Sequence, residues 1–325
     1  MIKQYLSYCI SSILSLTIVS GCINYTNTNT DASVSTLTST QKVESKHNEA
    51  NVGCVDIAYP AVKTESSIDD SAVSIHAQPR VVPSNNESIP EQSCLQLETP
   101  KASIRNEQII EYLGFTVSYN ANTRLPNWVA YELTHSEVLG EVPRAKHFYQ
   151  DPQVVGPQAD NEDYRNSGWD KGHMCPAGDM KWSKQAMYES FYFTNICPQN
   201  PNLNRGDWKD LEEKCRELAQ RYGNIYIVCG AIVGDAINGC LGYNKVTIPD
   251  AFYKVLLVKS ATSYEGIGFY FDNSPGSRRL SYYAKSIDNI EELTNIDFFY
   301  QLPDDIEDNI ESKFSLLSWG INKQI

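Results

Sequence analysis

Apolar and polar positions begin to alternate near residue 107, and that pattern organises the rest of the chain. "EYLGFTVSYN" and "NWVAYELT" each carry a two-residue period, which predicts strands joined by a loop. "SKQAMYESF", opening on Ser183, reads as a short helix with a serine cap. "YFTNICP" reads as a short strand or a loop. "NRGDWKDLEEKCRELAQRYG", from Asn204 to Gly223, has the clearest helical period. Trp208, Leu211, Cys215 and Leu218 recur at steps of three and four, and Gly223 supplies the stop. "NIYIVCGAIV", "AFYKVLLVKS" and "GIGFYFDN" are apolar strands, whereas "IDNIEEL" and "DIEDNIESKF" are helical. Strands on both sides of a long helix predict an α+β domain with a central, mainly antiparallel sheet flanked by helices.

Upstream the pattern is different. "MIKQYLSYCISSILSLTIVSGC" has a lysine, an apolar run and small residues before a cysteine, the order of an export signal. "IVSGC" is similar to a lipobox, so residues 1–21 are expected to be a lipoprotein-type signal peptide and Cys22 the lipidated residue. Residues 22–106 are rich in Ser, Thr and Asn with little periodicity, which predicts a flexible tether. The folded domain is then expected over 107–325. The chain would be exported and lipid-anchored in a bacterial cell envelope, facing the periplasm or the outside.

The chain has 325 residues and nine cysteines. Cys9 would leave with the signal, and Cys22 would be lipidated. Seven remain, an odd number in an oxidising compartment. Cys54 with Cys94 is one pairing to expect, and a disulfide is the expected state of Cys175. Formal net charge is -13, which by itself argues against a polyanion as partner. The imbalance is local, however. From Asp288 to Glu311 the chain carries nine acids and no Lys or Arg. A solvated acidic helix face accounts for that run. Cations gather instead around "PRAKHF", "SGWDKGHMCPAGD" and the long helix: Arg144, Lys146, Arg165, Lys171, Lys181, Lys184, Arg205, Lys209 and Arg216. Sequence-independent binding of nucleic acid runs through phosphates, so such a patch outweighs the average.

Asn204, Glu212 and Arg216 fall on roughly one face of the long helix, rotated away from its apolar stripe. Asn204 as N-cap and Glu212–Arg216 as a surface pair would explain them without any function. The turn "DKGHMCP" changes that by bringing His173 toward the same helix. Phosphodiester hydrolysis needs a base for water, a cation on the leaving oxygen and positive groups on the developing charge. A histidine, an asparagine holding hydrated Mg²⁺ and Arg or Lys meet that requirement.

"DKGHMCPAGD" followed by "TNICPQNPNLNRGDWKDLE" resembles the DNA/RNA non-specific endonucleases. This ββα-metal (His-Me finger) family takes in mitochondrial and secreted bacterial sugar-non-specific nucleases. Its signature runs Asp-Arg-Gly-His, Asn-x-x-Pro-Gln and Asn-x-x-x-Trp-x-x-Leu-Glu. Further segments, "NWVAYEL", "PRAKHF", "YRNSG", "YIVCGAIVG", "IPDAFYKV" and "IEELTNIDFF", look like family segments in family order. The resemblance implies His173 as general base and Asn204 as protein ligand of Mg²⁺, with Mn²⁺ as a substitute. It implies Glu212 holding metal-bound water, and Arg144 stabilising the phosphorane. It implies Arg216 on phosphate, Lys171 near substrate, and Asn195 as a substrate-site asparagine that is structural more than ligating. Substrates would be DNA and RNA, cut to 5′-phosphate and 3′-hydroxyl ends. A homodimer is compatible with the chain.

Lys171 stands where the family has arginine, which keeps the charge and loses the two-pronged grip on phosphate. Three rival readings follow. One is a catalytically weak, nucleic-acid-binding surface lipoprotein. Another is a Cys175/His173 hydrolase, and the third is a zinc site from His173, Cys175 and Cys197.

Overall fold

Seven strands hydrogen-bond side by side in the order β12-β11-β10-β7-β4-β3-β2, every neighbouring pair antiparallel. The structure is a computed structural model that describes residues 97–102, 107–234, 238–260 and 263–321. The strands are, in chain order, β1 (Lys101–Ala102), β2 (Glu107–Glu111), β3 (Thr116–Asn120), β4 (Leu125–Thr134), β5 (Asp170–His173), β6 (Ile196–Gln199), β7 (Asn224–Ile232), β8 (Cys240–Leu241), β9 (Val246–Thr247), β10 (Ala251–Lys259), β11 (Tyr264–Asp272), β12 (Ala284–Lys285) and β13 (Ile296–Asp297). The helices are α1 (His135–Val138), α2 (Asn161–Tyr164), α3 (Lys184–Glu189), α4 (Pro201–Arg205), α5 (Asp207–Tyr222), α6 (Leu280–Tyr283), α7 (Ile287–Thr294) and α8 (Asp304–Glu311). This is the expected α+β arrangement with a central antiparallel sheet. The signal peptide, Cys22 and the Cys54 and Cys94 pair lie outside the described residues.

Alternation along the central strands divides the interior in two. Val129, Tyr131 and Leu133 of β4 share one cluster with Ile227 and Cys229 of β7 and Phe252 and Leu256 of β10. Trp128, Ala130, Val228, Tyr253, Val255 and Leu257 point the other way. The first face is covered by α5 through Trp208, Leu211, Cys215 and Leu218, the stripe read from the sequence. The second is closed by α7 and α8 through Ile287, Ile290 and Ile310. Each fully buried Leu or Ile of this kind contributes roughly 1.5–3 kcal/mol. Leu97 is buried and β1 pairs with β13, so the packed unit begins upstream of residue 107.

The single helix expected from Asn204 is two. Asn200 accepts the Asn202 N–H and Pro201 sits in the first turn, so α4 starts before Asn204. Gly206 then breaks the path at φ -112°, ψ -112°. A side chain there would meet the Asn202 carbonyl oxygen at 2.6 Å, so the break needs glycine. Asn204 is therefore not an N-cap but lies in the last turn of α4. Gly223, at φ 93°, ends α5 as expected.

The disulfide expected at Cys175 is absent: Cys175, Cys197, Cys215 and Cys229 are buried free thiols. Their apolar packing against the sheet gives them a structural reason to be there.

Candidate active site

The hairpin β5–β6 delivers the histidine. His173 pairs with Ile196 and Gly172 with Cys197. Gly172 has to be glycine because the Gln199 side chain crosses it, and a Cβ would fall 2.2 Å from Oε1. The His173 ring lies against Phe148 and Phe191, with centroids 5.4 and 4.9 Å away. The residue is 7% exposed, and its Nε2 is enclosed with no hydrogen-bond partner among the described residues. Burial, and then the charge of Arg144, press its pKa down to about 3. The ring is neutral at neutral pH, the form that accepts a proton.

Asn195 was expected at the substrate site, in a structural more than a ligating role. It is fully buried: its Oδ1 accepts the Cys175 N–H at 2.8 Å, and its Nδ2 donates to the Cys175 and Ser190 carbonyls, both at 2.8 Å. With these bonds made it clamps the backbone just past His173 and cannot reach a ligand. Cys175 is equally enclosed, and burial drives its thiol well above the ordinary value. That removes it as a nucleophile. Among the described residues, His173, Cys175 and Cys197 do not form a group able to share a metal ion.

Asn204 leans back onto β5. Its Nδ2 donates to Asp170 Oδ2 at 2.9 Å, and the same carboxylate receives Arg205 Nε and Nη2 at 2.7 and 2.5 Å. With the nitrogen committed, the carbonyl oxygen is the end left to bind a cation. Asp170 stood in the motif, yet its work on Asn204, 34 residues on, was not read from the sequence.

Glu212 and Arg216 follow on α5. Arg216 Nη1 donates to Asp179 Oδ1 at 2.7 Å, and Tyr131 donates to Asp179 Oδ2 at 2.9 Å. Asp179 is fully buried, so this pair ties the end of "CPAGD" to α5. Arg216 thus anchors a loop before it can touch phosphate. The Glu212 carboxyl makes no hydrogen bond among the described residues. Its pKa is raised to about 7, burial being the main cause, with Asp179 adding and Lys254, Arg216 and Arg144 opposing. Lys254 was missed as well. It occupies an inward position on β10 between Phe252 and Leu256, fully buried, its ammonium 4.6 Å from the Trp208 ring centre. Burial lowers its pKa, but Cys229, Cys215, Glu212 and Asp179 outweigh that and hold it charged.

Lys171 faces a groove of about 590 Å³ that Asp170, Asn204, Phe148 and Tyr164 also line. Its Nζ donates to Asn161 Oδ1 at 2.6 Å and lies 4.9 Å from the Phe148 ring centre. Arg144 is exposed, its guanidinium 5.0 Å from the Phe191 ring centre, on the ring that also packs His173. The basic patch is thinner than its sequence count. Arg165, Arg205, Lys209 and Arg216 pair with Glu162, Asp170, Glu213 and Asp179. Arg144, Lys146, Lys171, Lys181 and Lys184 make no ion pair among the described residues.

An antiparallel strand pair ending in a histidine, followed by a helix that offers an amide oxygen, is the ββα-metal arrangement. The family model for DNA/RNA non-specific endonucleases matches residues 96–305, and the chain belongs to that family. It is 36% identical over 206 residues to the mitochondrial nuclease EXOG of Danio rerio, covering 58% of this chain and 60% of that protein. It is 33% identical over 218 residues to a nuclease of Nostoc sp., covering 61% and 76%. To mitochondrial endonuclease G of Bos taurus it is 30% identical over 205 residues, covering 59% and 69%. The match thus spans about 60% of the length of the Danio rerio relative. Among solved structures, the EndoG/EndoGI complex matches with a TM-score of 0.57 and 29% identity, over 61% of this chain and 88% of that one.

Proposed function

We propose that the chain is a metal-dependent endonuclease that hydrolyses phosphodiester bonds of DNA and RNA irrespective of sugar. The Asn204–Asp170 hydrogen bond carries the reading, because it fixes a hard, neutral oxygen donor beside the strand that ends in His173. The nuclease names of the relatives agree with it. The donors fit Mg²⁺: an amide oxygen at Asn204, a carboxylate on the following helix at Glu212, and room for retained water in the open groove that Asn204 lines. Asn204 would hold the ion directly and Glu212 would hold its water. Bound there, Mg²⁺ would stabilise charge on the leaving oxygen and on the phosphorus centre.

The His173 imidazole takes one proton from water. The water oxygen bonds to phosphorus as the bond to the 3′ oxygen breaks, and that oxygen takes a proton from solvent as it leaves. The products are a 5′-phosphate and a 3′-hydroxyl. The approach of an anionic phosphate counters the charge of Arg144 and raises the proton affinity of the imidazole. Arg144 and Lys171 meet the phosphate from the exposed side.

Cleavage of plasmid and RNA by the full chain, in Mg²⁺ and in EDTA, beside His173→Ala, tests the proposal. Metal-dependent cutting of both substrates, lost in the variant, is expected. A folded chain that binds nucleic acid but cuts neither in Mg²⁺ nor Mn²⁺ would leave the binding lipoprotein instead. Export and lipidation at Cys22 rest on the sequence of residues 1–22, and palmitate labelling lost in Cys22→Ser checks them.

A further inference from the structure

The acidic run from Asp288 to Glu311 is not simply a solvated face. Asp288 and Glu291 lie on α7, and Glu311 is the last residue of α8. The two helices meet over Gly266 of β11, where a Cβ would fall 2.6 Å from Ile287 Cδ1 and 3.1 Å from the Ile310 carbonyl oxygen. That meeting brings one carboxylate oxygen from each of Asp288, Glu291 and Glu311 within 4.8 Å of one another. Glu311 is only 7% exposed, and its Oε1 is enclosed with no hydrogen-bond partner.

Among the described residues nothing compensates this oxygen. Glu311 ends α8, where the helix carries its own partial negative charge and its last turn holds no basic residue. The charges that Glu311 feels most are Glu291, Glu307, Asp288 and Asp297, all of the same sign. The nearby Lys101 is committed to Asp297 at 3.0 Å and is two-thirds exposed. Glu291 has one oxygen fixed by the Phe298 N–H at 2.8 Å, which holds its carboxylate in place. A buried carboxylate that faces two others requires a cation or a proton.

We infer that Asp288, Glu291 and Glu311 form a divalent-cation site, for Ca²⁺, that ties α7 to α8 on the sheet face opposite His173. The donors are all carboxylate oxygens, the choice of a hard ion. Ca²⁺ accepts such a set in the loose geometry that two separate helices offer, whereas Mg²⁺ demands a near-ideal octahedron and gives up its water reluctantly. Open coordination positions would be filled by water, since Asp288 is exposed. The role is structural: a cation that binds only the folded pair of helices stabilises that fold by mass action.

Calorimetric titration with CaCl₂ and thermal unfolding in CaCl₂ against EDTA test the site. Both use the full chain carrying Asn204→Ala, which removes the proposed catalytic ligand. One Ca²⁺ per chain and a rise in Tm of about 4–8 °C at saturation are expected. Both effects should vanish in Glu311→Gln, and also in Asp288→Asn, whose exposed side chain can change without disturbing the fold. In EDTA, Glu311→Gln should melt no lower than the parent. A Ca²⁺ effect that survives either substitution, or a parent chain that binds no Ca²⁺ at millimolar concentration, would overturn the assignment. Nuclease activity in the Asn204-intact chain is a separate readout, so failure of one reading leaves the other standing.

Discussion

Asp170 holds Asn204 in place: the amide nitrogen donates to the carboxylate across 2.9 Å, from a helix to the strand that ends in the histidine. Arg205 grips the same carboxylate through two nitrogens and keeps it oriented. The orientation of the proposed metal ligand is thus set by a residue outside the proposed coordination shell.

Asp170→Ala should therefore raise the Mg²⁺ concentration needed for half-maximal cleavage by about 10–100-fold while the fold persists. Titrating Mg²⁺ against plasmid nicking reads this directly. An unchanged Mg²⁺ dependence would mean that Asn204 is placed by other contacts.

Lys254 is the buried cation that lowers the proton affinity of Glu212. In Lys254→Met the Glu212 pKa should climb above its present value of about 7. The alkaline-going limb of the rate profile should move up by about one pH unit, with activity at pH 7 falling and partly recovering at pH 9. Superposable wild-type and variant profiles would detach Lys254 from the site.

Glu212 also makes stability depend on pH. Its folded pKa of about 7 stands above the usual carboxylate value of 4.5, so the folded state binds the extra proton. Its contribution is fully present below about 4.5 and is lost as pH rises through about 7. In EDTA, wild type compared with Glu212→Gln should lose on the order of 2 kcal/mol between pH 5 and pH 8. Urea unfolding at the two pH values gives the comparison, and the variant subtracts every other titrating group. A constant difference would show that the carboxyl titrates normally.

Lys171→Arg restores the fork that two phosphate oxygens can share. We expect a rise in kcat/KM of about 3–10-fold on duplex DNA, carried mainly by KM. Steady-state cleavage of a labelled duplex measures it. A slower variant would mean that the Asn161 contact and the Phe148 ring have shaped the groove for lysine.

Strand order aside, most of the fold could be read from residue patterns. The two-residue period of β4 and β10 and the stripe on α5 are one-dimensional consequences of burying one face. What escaped depended on contacts between distant segments. The break at Gly206 had a signal in Pro201 and Asn200, which start a separate short helix, but the stripe from Trp208 onward overshadowed it. Lys254 had a signal too, a charged residue at an inward position of an apolar strand. Only packing shows that Trp208 and Glu212 wait beneath it. Asn195 was legible as structural more than ligating, but what it holds was not: its amide satisfies backbone groups of Cys175 and Ser190 that a tight turn leaves unpaired.

The division of the sheet into two faces also governs how substrate arrives. The unpaired cations, Arg144, Lys146 and Lys171 among them, belong to the segments around His173, while the acids of α7 and α8 lie behind the sheet. A polyanion diffusing toward this molecule meets an attractive front and a repellent back. Encounters are sorted by orientation before any contact forms, and added salt would erase that sorting before it touched the chemistry.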